Sequence, residues 1–321
     1  MLDLEYVLSF LLIVALLPLF MIRGLQWFWT RILFRDTEAA EAVDSFYRDF
    51  KTLSSSVLVR PNRIINLLDT IGDGNNTKPT LLFCHGSCSR MGHFNRMIRH
   101  FHSRGYRIVA FDMLGCGRST IPVGGDYSLP AHFEDLKAII ASHCNSPFIL
   151  IGHSAGANLA LSLATDKDAS RNMIGVVALS PVGPSSYEKV ADQLHRAFAM
   201  PYSLSWLIRP LIGLFVKNKM FAPSTSDMVI RVAMEASARN PVHMYVNYYR
   251  GFKLPELKGE AIVPVLIMAG KEDGMTPADG GWEAAAVLGR NAEMLEIPNA
   301  GHAIAEEAPD VVIQNVERFI K

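Results

Sequence analysis

The sequence predicts an α/β fold: a mostly parallel sheet flanked by helices, interrupted by one helical insert and preceded by an N-terminal membrane helix. Three observations lead there. From residue 80 onward, short apolar runs rich in Val, Ile and Leu alternate with helix-like segments. Strands that read as continuous apolar runs belong to a parallel sheet covered on both faces, where every side chain is buried whichever way it points. The alternation breaks between about residues 184 and 257, where the pattern turns helical and rich in large apolar side chains and Met. Finally, residues 6–22 read YVLSFLLIVALLPLFMI without a charge.

That uncharged stretch is at the short end of the spanning range, roughly 17–25 residues. Leu25, Trp27, Phe28 and Trp29 extend it, and indole rings suit the lipid–water boundary. A cleaved signal peptide starts basic and ends in small residues, whereas Asp3 and Glu5 precede this stretch and no A-x-A site follows. The expectation is an uncleaved anchor and flank over residues 1–35. Arg23, Arg31 and Arg35 all follow the apolar run, so the positive-inside rule predicts a single-pass protein whose body is cytosolic.

Residues 36–52 read as a polar, amphipathic helical connector. Two strand-like runs follow, SSVLVR and RIINLLDTI, split by Pro61-Asn62, and then a turn-rich GDGNNTKP over 72–79. The apolar strands are TLLFC (80–84), RIVAF (107–111), FILIG (148–152), IGVVALS (174–180), VPVLIMAG (263–270) and AEMLEIP (292–298). Helix-like segments fall near 90–103, 130–143, 155–165, 281–289 and 305–320. The chain therefore divides into the anchor, a first core part over 36–183, a cap-like insert over 184–257 and a second core part over 258–321.

Composition narrows the function. Half the residues are hydrophobic and 19% are charged, enough for a large core and against disorder. The 31 basic and 31 acidic residues cancel, and no basic stripe with interleaved aromatics occurs, so nucleic acid is not an expected partner. Cys84, Cys88, Cys116 and Cys144 are too few for a disulfide framework in 321 residues, and no second Cys/His pair joins His85 at metal-ligand spacing. No metal or other cofactor is expected.

The strand FILIG runs into Gly152-His153-Ser154-Ala155-Gly156 and then a helix-like ALSLA. This is G-x-S-x-G in a strand–turn–helix setting, where a sharp turn presents the serine hydroxyl. Ser154 is the candidate nucleophile, and it needs a base. His302 follows the last strand-like run and is the candidate; His85 and His153 are alternatives. Asp273, at the end of VPVLIMAG, is the acid expected to orient the imidazole, with Glu272 as its competitor. Oxyanion donors are expected from the backbone N–H groups of Ala155 and Ser87, the latter in the turn after TLLFC.

Together FCHGS, the run GYRIVAFDMLGCGRS (105–119), GHSAG, AGKED and AGHAI resemble the successive signatures of the α/β-hydrolase superfamily over residues 55–321. With the N-terminal anchor and the insert, the chain resembles the membrane-anchored α/β-hydrolase-domain-containing (ABHD) serine lipid hydrolases. The resemblance implies an α/β-hydrolase fold and a cofactor-free ester hydrolase acting through an acyl-enzyme on acyl lipids such as monoacylglycerols or lysophospholipids. Its alternatives are an acyltransferase, a soluble-ester carboxylesterase and an inactive scaffold. Ser154 departs from the aspartate nucleophile of epoxide hydrolases. Glu307 departs from the H-x-x-x-x-D pattern linked to acyl transfer. The apolar segment 201–221 is expected either to form an acyl-chain tunnel or bilayer-dipping surface, or simply to pack the cap.

Overall fold

The computed structural model describes residues 36–70, 78–167, 171–201, 205 and 216–321. Eight strands form one sheet in the order β1-β2-β4-β3-β5-β6-β7-β8. They are β1 (Ser54–Arg60), β2 (Arg63–Asp69), β3 (Thr80–Cys84), β4 (Ile108–Phe111), β5 (Phe148–His153), β6 (Met173–Leu179), β7 (Val265–Gly270) and β8 (Ala292–Ile297). From β4 to β8 the neighbours pair in parallel, whereas β2 is antiparallel to both β1 and β4. The sheet is therefore mixed, which corrects the expectation of a mostly parallel one at its first edge. Only Pro61 and Asn62 separate β1 from β2, too short a link for anything but a hairpin, and Asn62 takes the positive φ (61°) such a turn needs.

Continuous apolar strands cover both faces. On one side Leu82, Leu150, Val176 and Ile267 pack under α3 (Leu129–His143), α4 (Ala155–Leu163) and α8 (Asp279–Leu288). On the other, Leu81, Phe83, Ile151, Val177 and Met268 meet α1 (Thr37–Asp49), α2 (Asn95–Ser103) and α10 (Pro309–Ile320). The connector predicted at 36–52 is thus helix α1, capped by Asp36 and buried through Val43, Phe46 and Tyr47. The insert between β6 and β7 is helical and contains α5 (Tyr187–Ala197), α6 (Asp227–Ala238) and α7 (Val242–Arg250).

The membrane-anchored layout requires a correction. Among the described residues no helix is long and apolar enough to cross a membrane. The stretch 6–22 that suggested an anchor lies outside the described residues, as does most of the cap segment 201–221. The fold is therefore given without a membrane helix, and a membrane partner and a single-pass location find no support in it.

Strand order places the functional crevice. The chain leaves β3 toward β4 on one side and returns to β5 on the other, so β3 and β5 flank a topological switch point. The loops leaving their carboxyl ends diverge there and open a crevice. Those loops begin at His85 and Ser154.

Near the hairpin edge, Asp135 of α3 is held by Arg63, whose Nε and Nη2 lie 2.6 and 2.5 Å from its oxygens, and by Arg60 at 2.9 Å. Burial pushes the Asp135 carboxyl up, but the nearby His132 ring and the hydrogen bonds from Arg63 and Arg60 outweigh it and bring it down to about 2. Because the folded value lies below the ordinary 3.8, this stabilisation is full above about pH 4 and lost as pH falls toward 2. Asp135→Ala leaves Arg63 buried without its partner and should cost about 3–5 kcal/mol in chemical denaturation at pH 7. The deficit should shrink as the same measurement is taken down to pH 2.

Candidate active site

Ser154 sits between β5 and α4 with φ 53° and ψ −122°, a left-handed backbone that a serine adopts only when the surroundings enforce it. The enforcement is visible. A Cβ on Gly156 would lie 2.4 Å from the Cys84 carbonyl oxygen, so α4 presses directly on the end of β3. One on Gly86 would lie 2.9 Å from Ser154 Cβ, which puts the turn after β3 against the serine. The Ser154 N–H donates to the Leu179 carbonyl (2.8 Å) and pins the elbow to β6.

His302 and Asp273 meet as expected from two separate loops. Asp273 Oδ2 lies 2.8 Å from His302 Nδ1, and both side chains are buried. Asp273 Oδ1 accepts from the N–H groups of Met275 and Thr276, both at 2.8 Å. Burial raises the Asp273 carboxyl, but the charge and hydrogen bond of His302 and the Thr276 donors outweigh it and hold it below the usual carboxylate range. Donation from Nδ1 leaves the lone pair on Nε2. Glu272, the competing acid, is exposed and touches the site only through its N–H to Ala300.

The alternative bases are occupied otherwise. His85 Nδ1 faces the Gly86 carbonyl (2.8 Å), and its Nε2 accepts from the Met113 N–H (2.9 Å); burial drives its pKa down to about 3. His153 donates from Nε2 to the His302 carbonyl (2.8 Å), and burial drives it well below the ordinary histidine value. Its ring lies between those of His93 and His302, tilted 34° and 55° to them with centroids 4.2 and 4.9 Å away. Burial favours the neutral imidazole in both, and His153 braces the His302 backbone. Ser154 Oγ itself forms no hydrogen bond with a described residue, and such contacts are often long in unliganded sites.

Three contacts escaped the sequence reading. Thr276 Oγ1 lies 2.8 Å from Asp273 Oδ2 and 2.9 Å from His302 Nδ1, closing a triangle with the pair. Ser87 Oγ lies 2.9 Å from the Tyr248 hydroxyl of α7, joining the oxyanion turn to the insert. The carboxylate of Glu307 accepts from the N–H groups of Gly301 (3.0 Å), Ala303 (2.9 Å) and Ala222 (2.9 Å) and from Thr225 Oγ1. It clamps the residues on either side of His302 to the strap 219–225 within the insert, ahead of α6. The strap adds backbone bonds from His302 N–H to Met220 O (2.7 Å) and from Gly274 N–H to Lys219 O (3.0 Å). Only the departure at position 307 was a signal in the sequence. The four cysteines are buried free thiols, and among the described residues no group of three or more His, Cys, Asp and Glu is placed to hold a metal.

A model of the alpha/beta hydrolase family matches residues 81–315, most of the chain. The chain belongs to this family. Protein ABHD8 of Bos taurus is 26% identical over 271 residues, which cover 81% of this chain and 61% of that protein. This chain thus spans about 61% of the length of the ABHD8 relative it matches. The esterase EaEST from Exiguobacterium antarcticum has a similar structure, with TM-score 0.68, 17% identity, and coverage of 83% of this chain and 98% of that one. A bacterial membrane phospholipase A superposes with TM-score 0.67 and 19% identity over 99% of this chain and 98% of that one. At such identities the two structures show a shared fold. Family match and shared fold together place the chain among the α/β hydrolases.

If Glu307 is a clamp, Glu307→Gln places an amide among four donors and leaves one of them facing NH₂. Denaturation should show a loss of about 2 kcal/mol, and ester turnover should fall through kcat more than KM. Exposed Glu272→Gln should leave both unchanged.

Proposed function

We propose that Ser154, His302 and Asp273 act together as a catalytic triad that hydrolyses carboxylic esters through an acyl-enzyme. The observation that carries this reading is the 2.8 Å Asp273–His302 hydrogen bond, formed between two loops that converge beside the Ser154 elbow. His302 Nε2 takes the proton of Ser154 Oγ as that oxygen attacks the ester carbonyl. Asp273 holds the imidazole in the required tautomer and stabilises the imidazolium. The carbonyl oxygen becomes an oxyanion between the N–H groups of Ala155, first of α4, and Ser87. Both donors are backbone groups fixed before reaction, so little reorganisation is needed when charge develops. The imidazolium then protonates the departing alcohol, and water, activated by the same histidine, releases the acid and restores Ser154.

The substrate class proposed is an acyl lipid ester such as a monoacylglycerol or lysophospholipid. Support comes from the insert beside the oxyanion turn. Tyr248 touches Ser87, and behind it Phe198, Tyr245, Tyr249 and Phe252 stack as an aromatic layer, with Phe198 and Tyr249 rings 4.7 Å apart. A largely buried aromatic layer next to the oxyanion turn favours an aliphatic chain there over a charged acyl group.

A fluorophosphonate probe should label the native chain, and Ser154→Ala should remove the label while leaving thermal unfolding unchanged. Persistent labelling of the folded variant would overturn the nucleophile. Asp273→Asn should lower kcat by about 10⁴, because the amide favours the wrong imidazole tautomer. Turnover of a panel of monoacylglycerols, lysophospholipids and short-chain esters tests the substrate class, and a preference for short esters would sink the lipid reading.

A further inference from the structure

Three segments distant in sequence border a space of about 50 Å³. Its lining is Val43, Asp44 and Tyr47 of α1, Arg90, Gly117 and Arg118 of the core loops, and Ala236 and Arg239 at the end of α6. Arg90 is 6% exposed, and its Nε and Nη1 are buried without any hydrogen-bond acceptor. A buried guanidinium in that condition is costly unless something supplies the missing charge and acceptors.

The neighbouring carboxylates do not supply them. Asp112 stands close behind, but its oxygens accept from Tyr47 Oη, Asn66 Nδ2 and the N–H groups of Met91 and Arg118, all within 3.0 Å. Asp44 lines the same space and is held by Arg239 Nη1 at 2.7 Å, while Glu235 takes Arg239 Nε at 3.0 Å. Arg118 is exposed, rests on the Tyr47 ring 4.5 Å from its centroid and makes no ion pair among the described residues. Two guanidinia, Arg90 and Arg118, thus border one small space without a carboxylate at contact range.

We propose that this space is a binding site for a phosphate-class oxyanion, held by Arg90 and Arg118 with the Tyr47 edge and Arg239 alongside. Planar guanidinium forks match tetrahedral oxyanions, and the volume admits a single such group and no acyl chain. Because α1, the core and α6 each contribute, a bound anion fastens the insert to the core. The ligand is inorganic phosphate or the phosphomonoester of a small headgroup; the shared chemistry is the dianionic PO₃ face.

The test compares native chain in inorganic phosphate with chloride at equal ionic strength. Phosphate at ten times its dissociation constant should raise the unfolding midpoint by about 2 °C, and it should slow hydrogen exchange across Asp227–Ala238. Calorimetric titration should show binding that weakens about tenfold in Arg118→Gln, the loss of one charge-assisted hydrogen bond. Arg90→Gln should abolish it. If Arg90→Gln does not fold, Arg118→Gln decides, since that side chain is exposed and its loss leaves the core intact. Parallel titration with glycerol 3-phosphate assigns the source: tighter binding than inorganic phosphate points to a headgroup, weaker to the free ion. Equal midpoints in phosphate and chloride, or undiminished binding by Arg118→Gln, would overturn the site.

Discussion

Helix α4 approaches the end of β3 so closely that a single carbon on Gly156 would reach 2.4 Å from a backbone oxygen. That contact fixes the tilt of α4, and the tilt sets the backbone at Ser154. A residue with φ 53° persists only where neighbours over-determine it. Here the neighbours are Leu179 O, which holds its N–H, and the Gly86 turn, which has no side chain to push it away. Loosening any of these would let the elbow relax toward an ordinary helix start. The serine would then lose both its presentation and its relation to the Ser87 and Ala155 donors.

The second half of the site depends on loops, which are softer than strand ends, and the structure compensates with buried polar bonds. The Asp273 carboxylate makes four hydrogen-bond contacts, including those from the Met275 and Thr276 amides, and stays charged in spite of burial. The histidines around it behave oppositely. Without a carboxylate in contact, burial drives His85 and His153 toward the neutral state. Charge is thus retained at the carboxylate that orients His302, while His153 beside it and His85 in the turn after β3 act as uncharged hydrogen-bonding groups.

What the sequence made legible was local. A strand, two glycines and a helix within a dozen residues announce Ser154, and apolar runs announce the buried strands because burial on both faces removes alternation. Direction is another matter. RIINLLD reads the same whether β2 runs with or against β4, and only the two-residue link to β1 constrains it, so the antiparallel edge was missed. Glu307 illustrates the larger gap. Its bonds to Ala222 and Thr225 span 85 and 82 residues, and no pattern near position 307 indicates what will face it after folding. Thr276 lies close to Asp273 in sequence, yet a threonine six residues into a loop has many bland uses, and only geometry singles it out. The apolar run 6–22, which suggested an anchor, lies outside the described residues, and among those no helix is long and apolar enough to cross a membrane.

These contacts change how the insert should be regarded. It meets the core at the oxyanion turn through Tyr248, at the His302 loop through the strap 219–225 and Glu307, and at α1 through Arg231 and Arg239. The α1 contacts are surface ion pairs, each contributing little by itself. The other two are buried or half-buried and end directly on residues of the proposed site. A displacement of the insert at α1 could therefore be absorbed by side chains in water. A displacement at Tyr248 or the strap would move Ser87 or His302. The insert is thus part of the frame that positions both the oxyanion donors and the base, and the buried hydrogen bond from Asn240 Nδ2 to the Cys88 carbonyl carries that frame to the end of α6.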